Sequence, residues 1–67
     1  MEITLNNRQE CFDNEKITVS ELLTLKNFTF KLLVVKINGK LIKRDQYNSA
    51  TIKNGDDVSV IHLVSGG

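Results

Sequence analysis

The residues of this chain that could take part in chemistry are few and scattered. Ser65-Gly66-Gly67 closes the 67-residue sequence, directly after the apolar run VSVIHLV. A strand needs no such tail, and glycine loses more freedom on ordering than any other residue. Two readings are open: the glycines are a frayed end, or the carboxylate of Gly67 is a working group. A carboxylate is a poor electrophile until one of its oxygens is turned into a leaving group. Without Cβ atoms, Gly66 and Gly67 could enter a narrow channel and take backbone angles closed to other residues.

The remaining candidates exclude more than they support. Cys11 is the single cysteine, so an internal disulfide, a CxxC redox pair and an iron–sulfur cluster are ruled out. One cysteine and one histidine, His62, fall short of a zinc ligand set. Cys11 is expected at a buried or edge position, and His62 as an ordinary strand residue. No nucleophile–base pair and no carboxylate pair stands out, so the chain is not expected to be an enzyme. Lys31, Lys36, Lys40, Lys43 and Arg44 follow one another with no acid between them, either as a solvated hairpin face or as a partner-docking patch. A net charge of +1 and only four aromatic residues argue against nucleic acid as the partner.

These groups must be carried by a small soluble domain. Hydrophobic content of 40% and charged content of 25% are those of a globular protein and not of a disordered one. No apolar run approaches the roughly 20 residues of a membrane span, and no basic-then-apolar leader precedes the first strand. The expectation is one domain over residues 1–64 with a flexible tail at 65–67, cytoplasmic and monomeric when free.

MEITLNN alternates Ile3 and Leu5 against Glu2 and Thr4, the period of a half-buried strand. Asn6-Asn7 supplies a hairpin turn, because asparagine tolerates positive φ, and QECFD returns as a short strand. In ITVSELLTLKNF, Thr18 and Glu21 form a capping box, with Ile17 and Leu22 as the hydrophobic staple of a helix start. Val19, Leu22, Leu23 and the stem of Lys26 fall on one face of that helix, which should stop near Asn27. KLLVVKI reads as a strand inside a sheet, Asn38-Gly39 as a type I′ turn, and KLIK as the returning strand. Residues 44–53 are irregular, with Tyr47 and Ile52 as anchors. After the turn Asn54-Gly55-Asp56, DVSVIHLV is the last strand.

One helix can cover only one face of one sheet. Two hairpins flanking a helix, followed by a final strand, describe an α+β fold of the β-grasp (ubiquitin-like) type. It has a mixed four- to five-stranded sheet, with the first and last strands parallel at its centre. If Val58 and Val60 face the helix, Ile61 and Leu63 face the uncovered side, where apolar residues beside the tail would mark a docking surface.

The stretch INGKLIKRDQY…ATIKNGDDVSVIHLVSGG resembles the ThiS family, the sulfur carriers of thiamin biosynthesis. The resemblance lies in the order and spacing of the Asn-Gly hairpin, Arg44, Tyr47, Ile52, the Gly-Asp turn and the terminal Gly-Gly. The MEITLNN strand and the TVSELL helix start extend it over nearly the whole chain. Tyr47 stands where the family often has tryptophan, and Ser65 where many relatives have glycine. The sister MoaD family of molybdopterin synthesis also ends in Gly-Gly, but usually carries a proline pair before the tail and a longer connection after the helix. This chain has no proline and a short connection, which favours ThiS.

The resemblance implies a protein cosubstrate that binds no cofactor or metal. An E1-like, ThiF-like partner would use ATP to adenylate Gly67, a persulfide would supply sulfur, and a ThiG-like thiazole synthase would consume the resulting thiocarboxylate. Ser65 and Gly66 would thread the partner active sites while Ile61 and Leu63 dock. A MoaD-like carrier, a small protein modifier and an inert β-grasp interaction module are the alternatives.

Overall fold

The computed structural model describes residues 1–29 and 32–63. In chain order these form strands β1 (Glu2–Leu5), β2 (Arg8–Cys11) and β3 (Lys16–Thr18), helix α1 (Val19–Leu25), and strands β4 (Leu33–Ile37) and β5 (Lys40–Ile42). A single 3-10 turn (Arg44–Gln46) and strands β6 (Thr51–Lys53) and β7 (Asp57–His62) complete them. The main sheet has the order β2-β1-β7-β4-β5, with β7 parallel to β1 and antiparallel to β4. This is the β-grasp arrangement expected from the hairpin–helix–hairpin order.

The local signals explain the elements. Both two-residue hairpins run through positive φ twice, at Asn6 (51°) and Asn7 (67°) and at Asn38 (52°) and Gly39 (82°). That is the backbone a type I′ turn needs to match strand twist. Helix α1 starts on a complete capping box: Thr18 Oγ1 accepts the Glu21 N–H at 3.1 Å, and Glu21 Oε1 accepts the Thr18 N–H at 2.8 Å. It stops at Lys26, and Asn27 takes φ 58°. Ile17, Val19 and Leu22 are fully buried, and Leu23 packs at the margin of the core. Lys26 reaches Glu10 on β2 at 3.0 Å, a partly exposed pair of small energetic weight.

Sheet alternation places Ile3, Leu5, Val35, Ile42, Val58 and Val60 under the helix. Each such side chain contributes roughly 1.5–3 kcal/mol when fully buried. The segment expected to be irregular holds one more piece of order. β6 pairs with β3 in a separate two-stranded sheet, with Ile52 opposite Ile17 and both buried. Strands of three residues carry no readable period, and these two partners lie far apart in sequence. β2 also begins earlier than QECFD suggests, at Arg8, and leaves Phe12 and Asp13 outside it.

The turn at 54–56 is a junction as well as a reversal. Asn54 Oδ1 accepts the Glu2 N–H at 2.7 Å, and the Gly55 N–H donates to the Glu2 carbonyl at 2.8 Å. Asp56 is buried, with 6% exposure. Its carboxylate accepts from Asn38 Nδ2 at 3.1 Å and from the Lys53 N–H at 3.0 Å, so its burial is compensated.

Candidate partner-docking face

β7 is the strand that leads into the tail, and it is held on both sides. Toward β4 the register sets Val35 opposite Val60 and Val34 opposite Ile61, and the Leu63 N–H still donates to the Leu32 carbonyl at 2.9 Å. Toward β1 the backbone ladder is short, with Thr4 opposite Asp57 and Leu5 opposite Val58. Asn6 then prolongs it with its side chain. Its Nδ2 donates to the Val60 carbonyl at 3.1 Å, and its Oδ1 accepts the Val60 N–H at 2.8 Å. The sequence marks Asn6 only as a turn residue; an asparagine at a strand end is the available signal, and it does not distinguish the two roles.

The two faces of β7 separate as alternation requires. Val58 and Val60 are 0% and 7% exposed, whereas Ile61 and Leu63 are 48% and 47% exposed. Ile61 and Leu63 are therefore on the face without a helix, joined there by Val34 and Leu41 from neighbouring strands and by Leu32 just before β4. An open groove at this end of the sheet is lined by Leu32, Val34, Leu41 and Leu63 and, from the helix side, by Leu23, Phe28, Leu33, Ile42 and Tyr47, with Lys43 and Arg44 at its margin. Ser65, Gly66 and Gly67, expected to enter partner sites, lie outside the described residues, as does Lys31.

Strand register divides the basic run. Lys36 is opposite both Leu41 and Ser59 on the uncovered face, whereas Lys40 is opposite Ile37 and takes the other side. Lys43, in extended backbone after β5, continues the alternation of Leu41, and Arg44 opens the 3-10 turn; both are exposed.

The other sequence candidates are not brought to this place. Cys11 is exposed on edge strand β2, where its Sγ lies 3.6 Å from Glu2 Oε2. Glu2 precedes the start of the β1–β7 pairing, so Cys11 sits about 26 Å of strand away from Leu63. His62 is exposed opposite Leu33 at the end of β7. Among the described residues, no three His, Cys, Asp or Glu side chains are grouped as a metal site. No helix among them is long and apolar enough to cross a membrane.

The ThiS family model matches residues 1–67. The chain belongs to the ThiS family. Its fold is similar to the crystal structure of a thiamine biosynthesis protein, ThiS, from Geobacter metallireducens. That likeness has a TM-score of 0.87 and 32% identity over all of both chains. A solution NMR structure of a thiamine biosynthesis protein from the same organism aligns with a TM-score of 0.77 and 32% identity, covering 100% of this chain and 88% of that one. An uncharacterized protein, ycf40, of Trieres chinensis is 28% identical over 61 residues, 91% of this chain and 84% of the relative.

Proposed function

We propose that this ThiS-family chain carries sulfur for thiamin biosynthesis on the carboxylate of Gly67. A ThiF-like adenylating enzyme joins that carboxylate to AMP from ATP, releasing pyrophosphate. A persulfide sulfur then attacks the acyl carbon and AMP leaves. Reduction of the remaining S–S bond by a thiol frees a terminal thiocarboxylate, the form in which a ThiG-like thiazole synthase receives the sulfur. The chain itself contributes no acid, base or metal. It contributes a tail that can be threaded and a face that can be grasped.

One observation carries this reading: family likeness extends to the terminal Gly-Gly, and the strand before it emerges beside exposed apolar residues. Ile61 and Leu63 then dock while Ser65 and Gly66 pass into the partner's site.

The test is incubation with ATP, the ThiF-like enzyme and a persulfide source, read by intact-protein mass spectrometry. Exchange of one oxygen for sulfur, placed at the C-terminus by fragmentation, is the expected result. Deleting Gly66 and Gly67, or adding residues after Gly67, should leave a folded protein that gains nothing. Equal sulfur uptake by the extended chain would remove Gly67 as the acceptor.

A further inference from the structure

The uncovered face of the main sheet is polarised along its strands. At the end where β7 begins, the register collects Glu2, Thr4, Gln9 and Asp57 on this face. Toward the end where β7 leaves the sheet it collects Leu32, Val34, Ile61 and Leu63, with Lys43 and Arg44 beside them, while Lys36 and Leu41 lie level with Ser59 in the middle of the face. Carboxylates thus lie at one end, and apolar and cationic groups run from the middle of the face to the other end. The Lys26–Glu10 pair is on the helix side, and Lys36 and Lys43 form no ion pair among the described residues.

Resting on the carrier reading above, we infer that the apolar, lysine-flanked end docks onto a protein surface with an apolar centre and an acidic lip. The lip faces the β4–β5 edge, and the adenylating enzyme and the thiazole synthase share this design. Leucines at the centre contribute burial, and basic groups at the margin set orientation and association rate. A second copy of this chain fits poorly. A two-fold axis that pairs the leucines of two copies also brings both sets of Lys36, Lys43 and Arg44 into one contact, where like charges repel. Nucleic acid fits poorly as well, since phosphates have no use for five apolar side chains beside the lysines.

Calorimetric titration of the whole chain into each purified enzyme, ThiF-like and ThiG-like, tests this independently of sulfur chemistry. The double variant Lys36→Glu/Lys43→Glu should bind both enzymes about tenfold or more weakly at roughly 50 mM salt, with the gap closing near 500 mM. The milder Lys36→Ala/Lys43→Ala pair should fall between it and wild type, and unchanged denaturant midpoints would show that both variants fold. Lys16→Glu, on the two-stranded sheet away from this face, should bind like wild type.

Wild-type binding by the double variant, or an equal loss in Lys16→Glu, overturns the acidic-lipped partner. Dimerisation of the free chain through this face overturns it too, as does tighter binding of a single-stranded oligonucleotide through the same lysines. Native sulfur uptake by a double variant that binds normally removes the docking inference and leaves the carrier reading intact. Salt-dependent binding without sulfur uptake does the reverse.

Discussion

The amide of Asn6 donates to the Val60 carbonyl and accepts the Val60 N–H, at 3.1 and 2.8 Å, at the point where β1 has already turned away. Two backbone groups of the tail-bearing strand therefore find partners that a third β1 residue would otherwise have to supply. Replacing Asn6 with glycine keeps the positive φ of the turn but removes both bonds, and should cost about 1–3 kcal/mol. Asn7→Gly, at a neighbouring position with the same backbone sign, is the control and should change stability far less. Equal denaturant midpoints for the two variants would show that the fork contributes nothing. At this scale the sequence is only half legible. Asn-Gly and Asn-Asn announce their turns because positive φ restricts the residue choice, but nothing local tells that Asn6 also holds Val60, or that Asp56 is tied to Asn38 and Lys53.

Helix α1 spans only seven residues, too short to be stable in isolation. It persists because its start is capped and its inner face is buried. Thr18→Ala removes the acceptor for the Glu21 N–H and should cost about 1 kcal/mol. Leu22→Ala opens a space in the core and should cost about 2–5 kcal/mol. Urea denaturation separates the two magnitudes, and an unchanged midpoint in Leu22→Ala would take the helix out of the core. Capping, staple and stop are all readable in TVSELLTLKN because they depend on near neighbours. The β3–β6 pair is not readable, because Ile17 meets Ile52 across most of the chain and each strand is a single side-chain alternation long.

Across the whole molecule, the central place of β7 makes two adjacent residues answer to different surroundings. Val60 closes the core beneath the helix, and Ile61 and Leu63 lie on the opposite face at 48% and 47% exposure. This division follows from alternation alone and is legible in the residue order of VSVIHL. The polarity of the face is not, because it depends on which neighbours β1, β4 and β5 bring alongside. Val60→Asp should therefore unfold or strongly destabilise the domain, by about 3 kcal/mol or more, since a carboxylate would lie in the core without a partner. Ile61→Asp and Leu63→Asp should keep wild-type circular dichroism and midpoints. On the docking proposed above, they should nevertheless bind the adenylating enzyme and the thiazole synthase more weakly, because each places a charge in the apolar centre of the proposed contact. A parallel loss toward both enzymes has a further consequence, open to a competition titration: saturating thiazole synthase should displace the carrier from the adenylating enzyme. A stable three-protein complex, or a Leu63→Asp chain that binds normally, would remove this face from the exchange and leave the tail to be recognised alone.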